Sequence, residues 1–394
     1  MTKEVVVVGM ARTPVGDFLG SLKDVPAVEL GKIVVKAALD RANIAPEQVD
    51  NVVAGMVYKA GAKGNPARQV QLAAGIPKEA AATTVDQQCA SAMRALEIAA
   101  HQIMLGFSDV SVVVGMESMS RVPYLLMNAR QGLRLGDGAI NDSLLYDALV
   151  DPFINYHMGI TAENLAQKYN ISRKEQDELA FLSQKRAVAA IDEGKFKEEI
   201  VPVEIQTKKG TVVVDTDEHP RRDITLEGLA KLKPAFKENG TVTAGNASGI
   251  NDGAAAAVLI SADKAKELGI KPLAKVLATA SYGVEPEIMG IGPVYAIPKA
   301  LKLAGLNINE IDYFEINEAF AAQFLAVNRE LNLDMSKVNL NGSGISLGHP
   351  VGCTGLRIIV TLVHEMRRKG QRFGVASLCA GGGPSMATVI ECLY

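Results

Sequence analysis

The sequence has no tryptophan, few aromatic residues and only four cysteines among 394 residues. So few cysteines cannot form the dense disulfide framework of a small secreted protein. Their spacing matches none of the paired-ligand patterns of zinc sites, so we predict no bound metal. Each thiol must therefore be interpreted separately, at Cys89, Cys353, Cys379 and Cys392.

Long apolar runs and a strong charge of one sign are missing as well. No run reaches the ~18 residues that a membrane-spanning helix needs, and the apolar run at 5–9 is too short for a secretion signal. The net charge of −3 gives no reason to expect nucleic acid or a membrane as a partner. The sequence thus predicts a cytoplasmic protein.

Two pairs of segments resemble each other, and both pairs are separated by nearly the same distance along the chain. The first pair is "ALDRANIAPEQVDNVVAG" at 38–55 and "ALKLAGLNINEIDYFEIN" at 300–317. The second pair, at 89–115 and 353–379, has helical periodicity, then a glycine and a strand of small and β-branched residues. Two matching pairs in the same order indicate a duplicated α/β unit. The alternative is that any α/β chain shows such helix–strand similarity.

The duplication predicts three domains in a chain of this length. The first half comprises 1–118 together with 249–273, and the second half comprises 274–394. Between them, 119–248 has a different, more polar character, and we interpret it as an inserted loop domain. An insertion above the ends of the strands is suited to hold a ligand.

The stretch "TTVDQQCASAMRAL" at 83–96 places Cys89 between a strand and a helix. A helix N-terminus carries unpaired N–H groups and a partial positive charge, which favour a thiolate and predict a lowered pKa for this thiol. The alternative is a buried cysteine that only packs, which is common for free thiols.

A nucleophilic cysteine needs a base nearby, most often a histidine. The best placed is His349, in the glycine-rich loop "NGSGISLGHPVGCTG", because the two halves would bring this loop close to Cys89. The other histidines are in the repeated helices, in a polar loop or in a predicted turn (His101, His157, His219 and His364).

Cys379 ends a predicted strand and is followed by three glycines in "ASLCAGGGPSM". Consecutive glycine N–H groups can bind an anion, and a thiol beside them can transfer a proton near a developing oxyanion. The alternative is a tight turn between strands. We interpret Cys353 and Cys392 as packing residues.

These segments resemble thiolases, and specifically the acetyl-CoA C-acetyltransferase branch. The resemblance runs nearly end to end, through "GMESMSRVPY", "YHMGITAENLA", "GTVTAGNASGINDGAAA", "NEAFAAQ", "NGSGISLGHPVG" and "CAGGG". It implies the thiolase fold, with two repeated α/β halves packed as a layered α-β-α-β-α core. It also implies a homodimer or homotetramer, the latter through the inserted region near 120–140.

The resemblance implies a reversible Claisen condensation of two acetyl-CoA molecules to acetoacetyl-CoA and CoA, without a tightly bound cofactor. Cys89 would carry the acetyl group, His349 would take the Cys89 proton, and Cys379 would move the α-proton of the second substrate. Asn317 would hold a water that forms one oxyanion hole with His349. The N–H groups of Cys89 and Gly381 would form the other.

The resemblance also implies a set of CoA-contacting residues. These are Leu149, His157, Met158, Arg221, Phe236, Ala244, Ser248, Ala319 and Phe320. Met158 resembles the short-chain members of the family and favours acetyl and acetoacetyl groups.

The sequence departs from the family pattern at "CASA", where "CGSG" is usual, and at Cys353 and Pro384. These departures bear on acyl chain length, so a 3-ketoacyl-CoA thiolase of broader chain length is an alternative. A ketoacyl synthase would have a second histidine or an asparagine in place of the second cysteine. A non-catalytic CoA- or lipid-binding relative would have lost Cys89 or Cys379. A cysteine hydrolase would admit water to the thioester.

Overall fold

A computed structural model describes residues 2–394 of the chain. The strands are β1 Val5–Arg12, β2 Gly16–Asp17, β3 Asn51–Gly55, β4 Ala81–Val85, β5 Val110–Ser118, β6 Tyr124–Leu125, β7 Asn141–Asp142, β8 Val203–Thr207, β9 Gly210–Val214, β10 Asn251–Ser261, β11 Ala274–Gly283, β12 Tyr313–Ile316, β13 Phe373–Cys379 and β14 Pro384–Cys392. The α-helices are α1 Ala27–Ala42, α2 Pro66–Ala73, α3 Ser91–Met104, α4 Met158–Lys168, α5 Arg173–Asp192, α6 Leu226–Ala230, α7 Ala262–Leu268, α8 Pro293–Ala304, α9 Ala321–Leu331, α10 Gly344–Leu347 and α11 Val351–Lys369.

The large sheet consists of two similar parts joined at their edges. Its order is β12-β13-β14-β11-β1-β10-β5-β3-β4, with β2 beside β10. The joint between the parts is short, because β1 and β11 pair only through Val6 with Lys275 and Val7 with Ala274. The continuous sheet is therefore two sheets in contact along one edge.

The two parts have the same topology. In the first, β1 pairs antiparallel with β10, β10 antiparallel with β5, β5 parallel with β3, and β3 parallel with β4. In the second, β11, β14, β13 and β12 repeat these directions, and a parallel bridge from Phe314 to Val338 takes the place of the β3–β4 pair. The duplication inferred from the sequence is thus also a duplication of strand pairing.

Helices cover both faces of each sheet, so the strands are buried on both sides. One apolar core packs α1 and α2 against the outer face of the first sheet. A second core contains α3 and α11 between the sheets, and a third packs α8 and α9 on the outer face of the second sheet. These layers alternate as α-β-α-β-α, and the predicted fold class is confirmed.

The sequence pattern of α11, one of the two helices between the sheets, explains its burial and its end. Nearly every residue of α11 from Val351 to Met366 is buried, and basic residues occupy its last turn. Gly370 ends it with φ of +64°, a left-handed conformation that favours glycine. The predicted helix end is confirmed, and the loop before α11 is thereby held at the interface of the two halves.

The segment 119–248 contains two small hairpins, β6–β7 and β8–β9, and helices α4 to α6. Helix α4 packs beside α9, and α5 packs against α9 and α10, so this segment covers part of the second half. Within residues 2–394, no helix combines the length and the apolar character that crossing a bilayer requires.

Candidate active site

A cavity of about 320 Å³ lies where the two halves and the segment 119–248 meet. Of the residues that the sequence predicted for the site, all except Asn317 line it. They are Cys89, His349, Cys379, Gly381, Leu149, His157, Met158, Arg221, Phe236, Ala244, Ser248, Ala319 and Phe320. Residues far apart in the chain thus line one cavity.

Cys89 lies in the turn between β4 and α3, which begins at Ser91. Gln88 has φ of +51°, a left-handed conformation that reverses the chain sharply. The Ser91 hydroxyl donates to the Gln88 carbonyl at 2.6 Å and closes the turn. The backbone at Ser91 packs against Gly55 so closely that a Cβ added at Gly55 would collide with that backbone. The turn therefore holds the thiol at the cavity wall.

The predicted lowering of the Cys89 pKa is wrong for the substrate-free protein. Burial raises the pKa of this thiol to about 12, and hydrogen bonds from the N–H groups of Gly381 and of Cys89 itself lower it only in part. The desolvation of a charge below the protein surface outweighs the helix terminus. The resting sulfur is therefore a thiol, and a neighbouring base would have to take its proton before it could act as a nucleophile.

His349 has the geometry of such a base. Its Nδ1 lies 2.7 Å from the Thr354 hydroxyl, and that hydroxyl donates its proton to the Pro350 carbonyl at 3.0 Å. The hydroxyl oxygen is thus left to accept from Nδ1–H, which leaves a lone pair on Nε2. Nε2 is buried without a partner among the described residues. The backbone N–H donates to Asn251 Oδ1 at 2.9 Å and fixes the loop.

Burial first, and the nearby Arg357 guanidinium second, lower the pKa of His349 to about 3. The unfolded chain, with an ordinary pKa of 6.5, binds a proton that the folded ring rejects, so the contribution of His349 to stability is present above pH 6.5 and lost as the pH falls toward 3. On acidification from pH 7 to pH 5, we expect the free energy of unfolding to fall by about 2 kcal/mol because of this group.

Urea denaturation at the two pH values tests this effect. The His349→Asn variant should lose less stability on acidification than the unmodified protein. His101→Asn, at an exposed position on α3, is the control and should keep the full acid dependence. An identical pH dependence in the His349 variant would contradict the buried neutral ring.

Cys379 is the last residue of β13 and is buried. Burial first, and the charge of a Cys89 thiolate second, raise its pKa well above the ordinary value of a thiol. Gly382 and Gly383 follow with φ of +82° and +101°, and the Gly382 N–H donates to the buried Asp151 carboxylate at 3.0 Å. This turn, which only glycine forms without strain, places the N–H of Gly381 at the cavity beside Cys89.

Asn317 lies behind the cavity wall. It follows β12, and its backbone N–H donates to the Ser377 carbonyl of β13 at 2.9 Å. Its side chain is fully buried, yet neither the amide oxygen nor the amide nitrogen has a hydrogen-bond partner within residues 2–394. Buried amides are almost always paired, so this one is suited to hold a small polar molecule.

Aromatic and sulfur-containing side chains form the apolar wall. His157 stacks on Phe236 with ring centroids 4.6 Å apart, and Phe236 meets Phe320 edge to face at 6.0 Å. The Met158 methyl lies 2.7 Å from the position that a Cβ on Gly381 would take. Met158 therefore closes the cavity beside the backbone that reaches Cys89.

Sequence reasoning missed a third imidazole at the cavity, in addition to those of His157 and His349. His219, assigned to a polar loop, lines the cavity, and its Nδ1 is hydrogen-bonded to Asp17. Asn251 connects His219 with His349. Its side-chain nitrogen donates to Gly16 and to Asp17, the partner of His219, and its side-chain oxygen accepts from the His349 N–H. A polar loop carries no signal for such a placement, because the contact spans distant segments.

This chain is similar to known proteins over its whole length. The family model described as thiolase, N-terminal domain, matches residues 5–263, and that described as thiolase, C-terminal domain, matches residues 270–392. The acetyl-CoA acetyltransferase of Syntrophomonas wolfei is 52% identical over the whole of both chains.

Solved structures give the same result. The acetyl-CoA acetyltransferase structure from Syntrophomonas wolfei has a TM-score of 0.98 at 52% identity and covers all of both chains. Human mitochondrial 3-ketoacyl-CoA thiolase has a TM-score of 0.96 at 46% identity and covers 99% of each chain.

Proposed function

The chain belongs to the thiolase family, and from this premise we propose that it acts as an acetyl-CoA acetyltransferase in which Cys89 carries the acetyl group. It joins two acetyl-CoA molecules into acetoacetyl-CoA and CoA, or runs in reverse. One observation carries the residue roles: Cys89, His349 and Cys379 line a single cavity.

In the first half-reaction, Cys89 attacks the thioester carbonyl of acetyl-CoA. His349 Nε2, with its free lone pair, takes the thiol proton as the S–C bond forms. The oxyanion of the tetrahedral intermediate is stabilised by the N–H groups of Cys89 and Gly381, which already converge on the sulfur. The intermediate collapses to acetyl-Cys89, and CoA leaves with the proton from His349.

In the second half-reaction, the Cys379 thiol passes its proton to His349 Nε2 at the same cavity, and the resulting thiolate removes a proton from the methyl group of a second acetyl-CoA. The resulting enolate oxygen accepts hydrogen bonds from the protonated His349 Nε2 and from a water on the Asn317 amide. The enolate carbon attacks acetyl-Cys89, and collapse of that intermediate releases acetoacetyl-CoA and the Cys89 thiolate, which takes the proton back from His349 Nε2.

The order of the two steps has an electrostatic reason. A negative charge on Cys89 opposes ionisation of Cys379. An acetylated Cys89 cannot ionise, so once the acetyl group is loaded no second negative charge can form beside the Cys379 thiolate. Each half-reaction thus prepares the next, which supports ping-pong kinetics.

The inserted domain 119–248 supplies much of the CoA-binding surface in this proposal. Leu149, His157, Met158, Arg221, Phe236 and Ala244 come from it. Arg221 is exposed and close enough to Asp17 to lower the pKa of that carboxyl, after the larger effect of its His219 hydrogen bond. A free guanidinium at the cavity is suited to bind phosphate oxygens of CoA.

We also propose that the chain works as a homodimer or homotetramer in the cytoplasm. Strand β4 ends the sheet with an exposed or half-buried surface, and exposed apolar side chains cluster at 124–146, among them Tyr124, Leu135 and Ile140. Unpaired strand edges and apolar patches of this kind favour association. The four free thiols suit a reducing compartment.

A steady-state comparison of substrates tests the function. We expect parallel double-reciprocal lines and a kcat/KM for acetoacetyl-CoA at least about tenfold above that for six-carbon and longer 3-ketoacyl-CoA thioesters, because Met158 narrows the cavity beside Cys89 and each unaccommodated methylene costs about 1 kcal/mol or more. Equal rates with long chains would instead support a broad 3-ketoacyl-CoA thiolase.

A further inference from the structure

Glu117 is a fully buried carboxylate on β5 that receives three backbone hydrogen bonds. The N–H of Val57 donates to it at 2.9 Å, the N–H of Tyr58 at 3.2 Å and the N–H of Gly352 at 2.9 Å. The packing is close, because a Cβ at Gly352 would collide with the carboxylate. None of the steps described above uses this residue.

The three N–H groups belong to two different segments of the active site. Residues 56–58 follow β3 and are joined to the end of β4, since the Met56 N–H donates to the Val85 carbonyl at 3.2 Å. That strand leads into the turn that holds Cys89. Gly352 lies in the first turn of α11, three residues after His349. One carboxylate therefore connects the Cys89 side of the cavity to the His349 side.

The same residue controls the apolar surface against which Cys89 rests. Val57, Met119 and Val351 belong to a small buried cluster, and Cys89 packs against it. Glu117 accepts hydrogen bonds from the N–H of Val57 and from the N–H of Gly352, the residue after Val351. A shift of the carboxylate would move both valines and change the position of the sulfur relative to the imidazole.

We propose that Glu117 is a positioning residue that fixes Cys89 relative to His349, and that its negative charge adds to the burial that keeps the Cys89 sulfur protonated. The inference rests on the proposed role of Cys89. A misplacement of about 1 Å between reacting groups can cost about 10²-fold in rate.

The charge argument follows from the surroundings of Glu117. Burial raises its pKa to about 7, against the lowering effect of the three N–H groups, so it is ionised above pH 7. The titratable groups that face it are Cys89, Asp86, Tyr58 and Cys353, and no basic side chain contacts its oxygens among the described hydrogen bonds. An unneutralised carboxylate here opposes formation of a second negative charge on sulfur.

Two variants separate position from charge. Glu117→Gln removes the charge and one acceptor oxygen, and we expect kcat to fall about 10- to 100-fold while KM changes less than threefold. Alkylation of Cys89 by iodoacetamide at pH 8 should become about three- to tenfold faster, because the thiolate is no longer opposed. Glu117→Asp keeps the charge but withdraws the carboxylate, so kcat should fall without faster alkylation.

Glu163→Gln is the matched control. Glu163 is a buried carboxylate that accepts the backbone N–H groups of Thr241 and Val242 at 2.7 Å each, and it does not line the cavity. Replacement of Glu163 should lower stability but leave the alkylation rate of Cys89 unchanged. If Glu117 had a purely structural role, Glu117→Gln would give this same result.

Three results would overturn the inference: an unchanged kcat in both Glu117 variants, slower or equal alkylation in Glu117→Gln, or faster alkylation in Glu117→Asp. If Glu117→Gln does not fold, the kcat of Glu117→Asp decides the positioning role. Failure of the proposed function is distinguishable, because the unmodified protein would then form no acetyl-Cys89.

Discussion

Replacing Cys89 with serine is expected to lower kcat/KM for thiolysis of acetoacetyl-CoA by about 10⁴-fold or more. The change exchanges one atom in a rigid turn, so the fold and the cavity should persist. The resting Cys89 thiol has a pKa of about 12, and His349 has a pKa of about 3. A base as weak as His349 can assist the loss of a proton from the Cys89 thiol during attack. The serine hydroxyl in the variant ionises far less readily, so the same base does not activate it.

Mass spectrometry gives the direct measurement. After incubation with acetyl-CoA, the peptide containing Cys89 should gain one acetyl group in the unmodified protein and none in Cys89→Ser. Cys353→Ala is the matched control, because Cys353 is the repeat counterpart of Cys89, is buried on α11 and does not line the cavity. Substantial turnover by Cys89→Ser would refute the covalent mechanism.

The Cys379→Ala variant is expected to separate the two half-reactions. Condensation should fall by about 10²–10⁴-fold, because no other thiol at the cavity can remove the α-proton. Loading of Cys89 should remain within about tenfold of normal, since attack on the first thioester needs only Cys89, His349 and the backbone N–H groups.

Two assays follow the halves independently. Exchange of labelled CoA into acetyl-CoA reports acyl transfer alone, whereas formation of acetoacetyl-CoA reports condensation. Cys392→Ala, on the neighbouring strand β14 and away from the cavity, controls for the loss of a buried thiol and should affect neither assay. A parallel loss of both activities in Cys379→Ala would mean that Cys379 supports the cavity rather than transferring a proton.

Much of the fold followed from local patterns. The end of α11 at Gly370 and the two-sided burial of β5 and β13 agree with the periodicity and the small, β-branched residues of the sequence. The duplicated segments predicted two similar halves, and strand pairing repeats in both. These features depend on residues close together in the chain, so a single sequence contains the information.

The site was predictable only where motifs carried it. The glycine-rich loop before α11 and the glycines of "CAGGG" drew attention to His349 and Cys379, and the resemblance to thiolases implied their roles. Nothing in the polar loop around His219 indicated a cavity residue, and Glu117 was only one letter in "GMESMSRVPY". Both act through contacts between segments that lie far apart in sequence, and such contacts leave no local pattern.

By itself, the sequence determined the residue types, the strand-to-helix turn at Cys89 and the duplicated halves, because these follow from side-chain chemistry, periodicity and backbone preference. The tertiary structure alone decided that two thiols and an imidazole from different halves share one cavity. It also decided that Cys89 rests protonated rather than ionised, against the expectation from the helix terminus. Desolvation depends on everything packed around a group, and that surrounding exists only after the chain has folded.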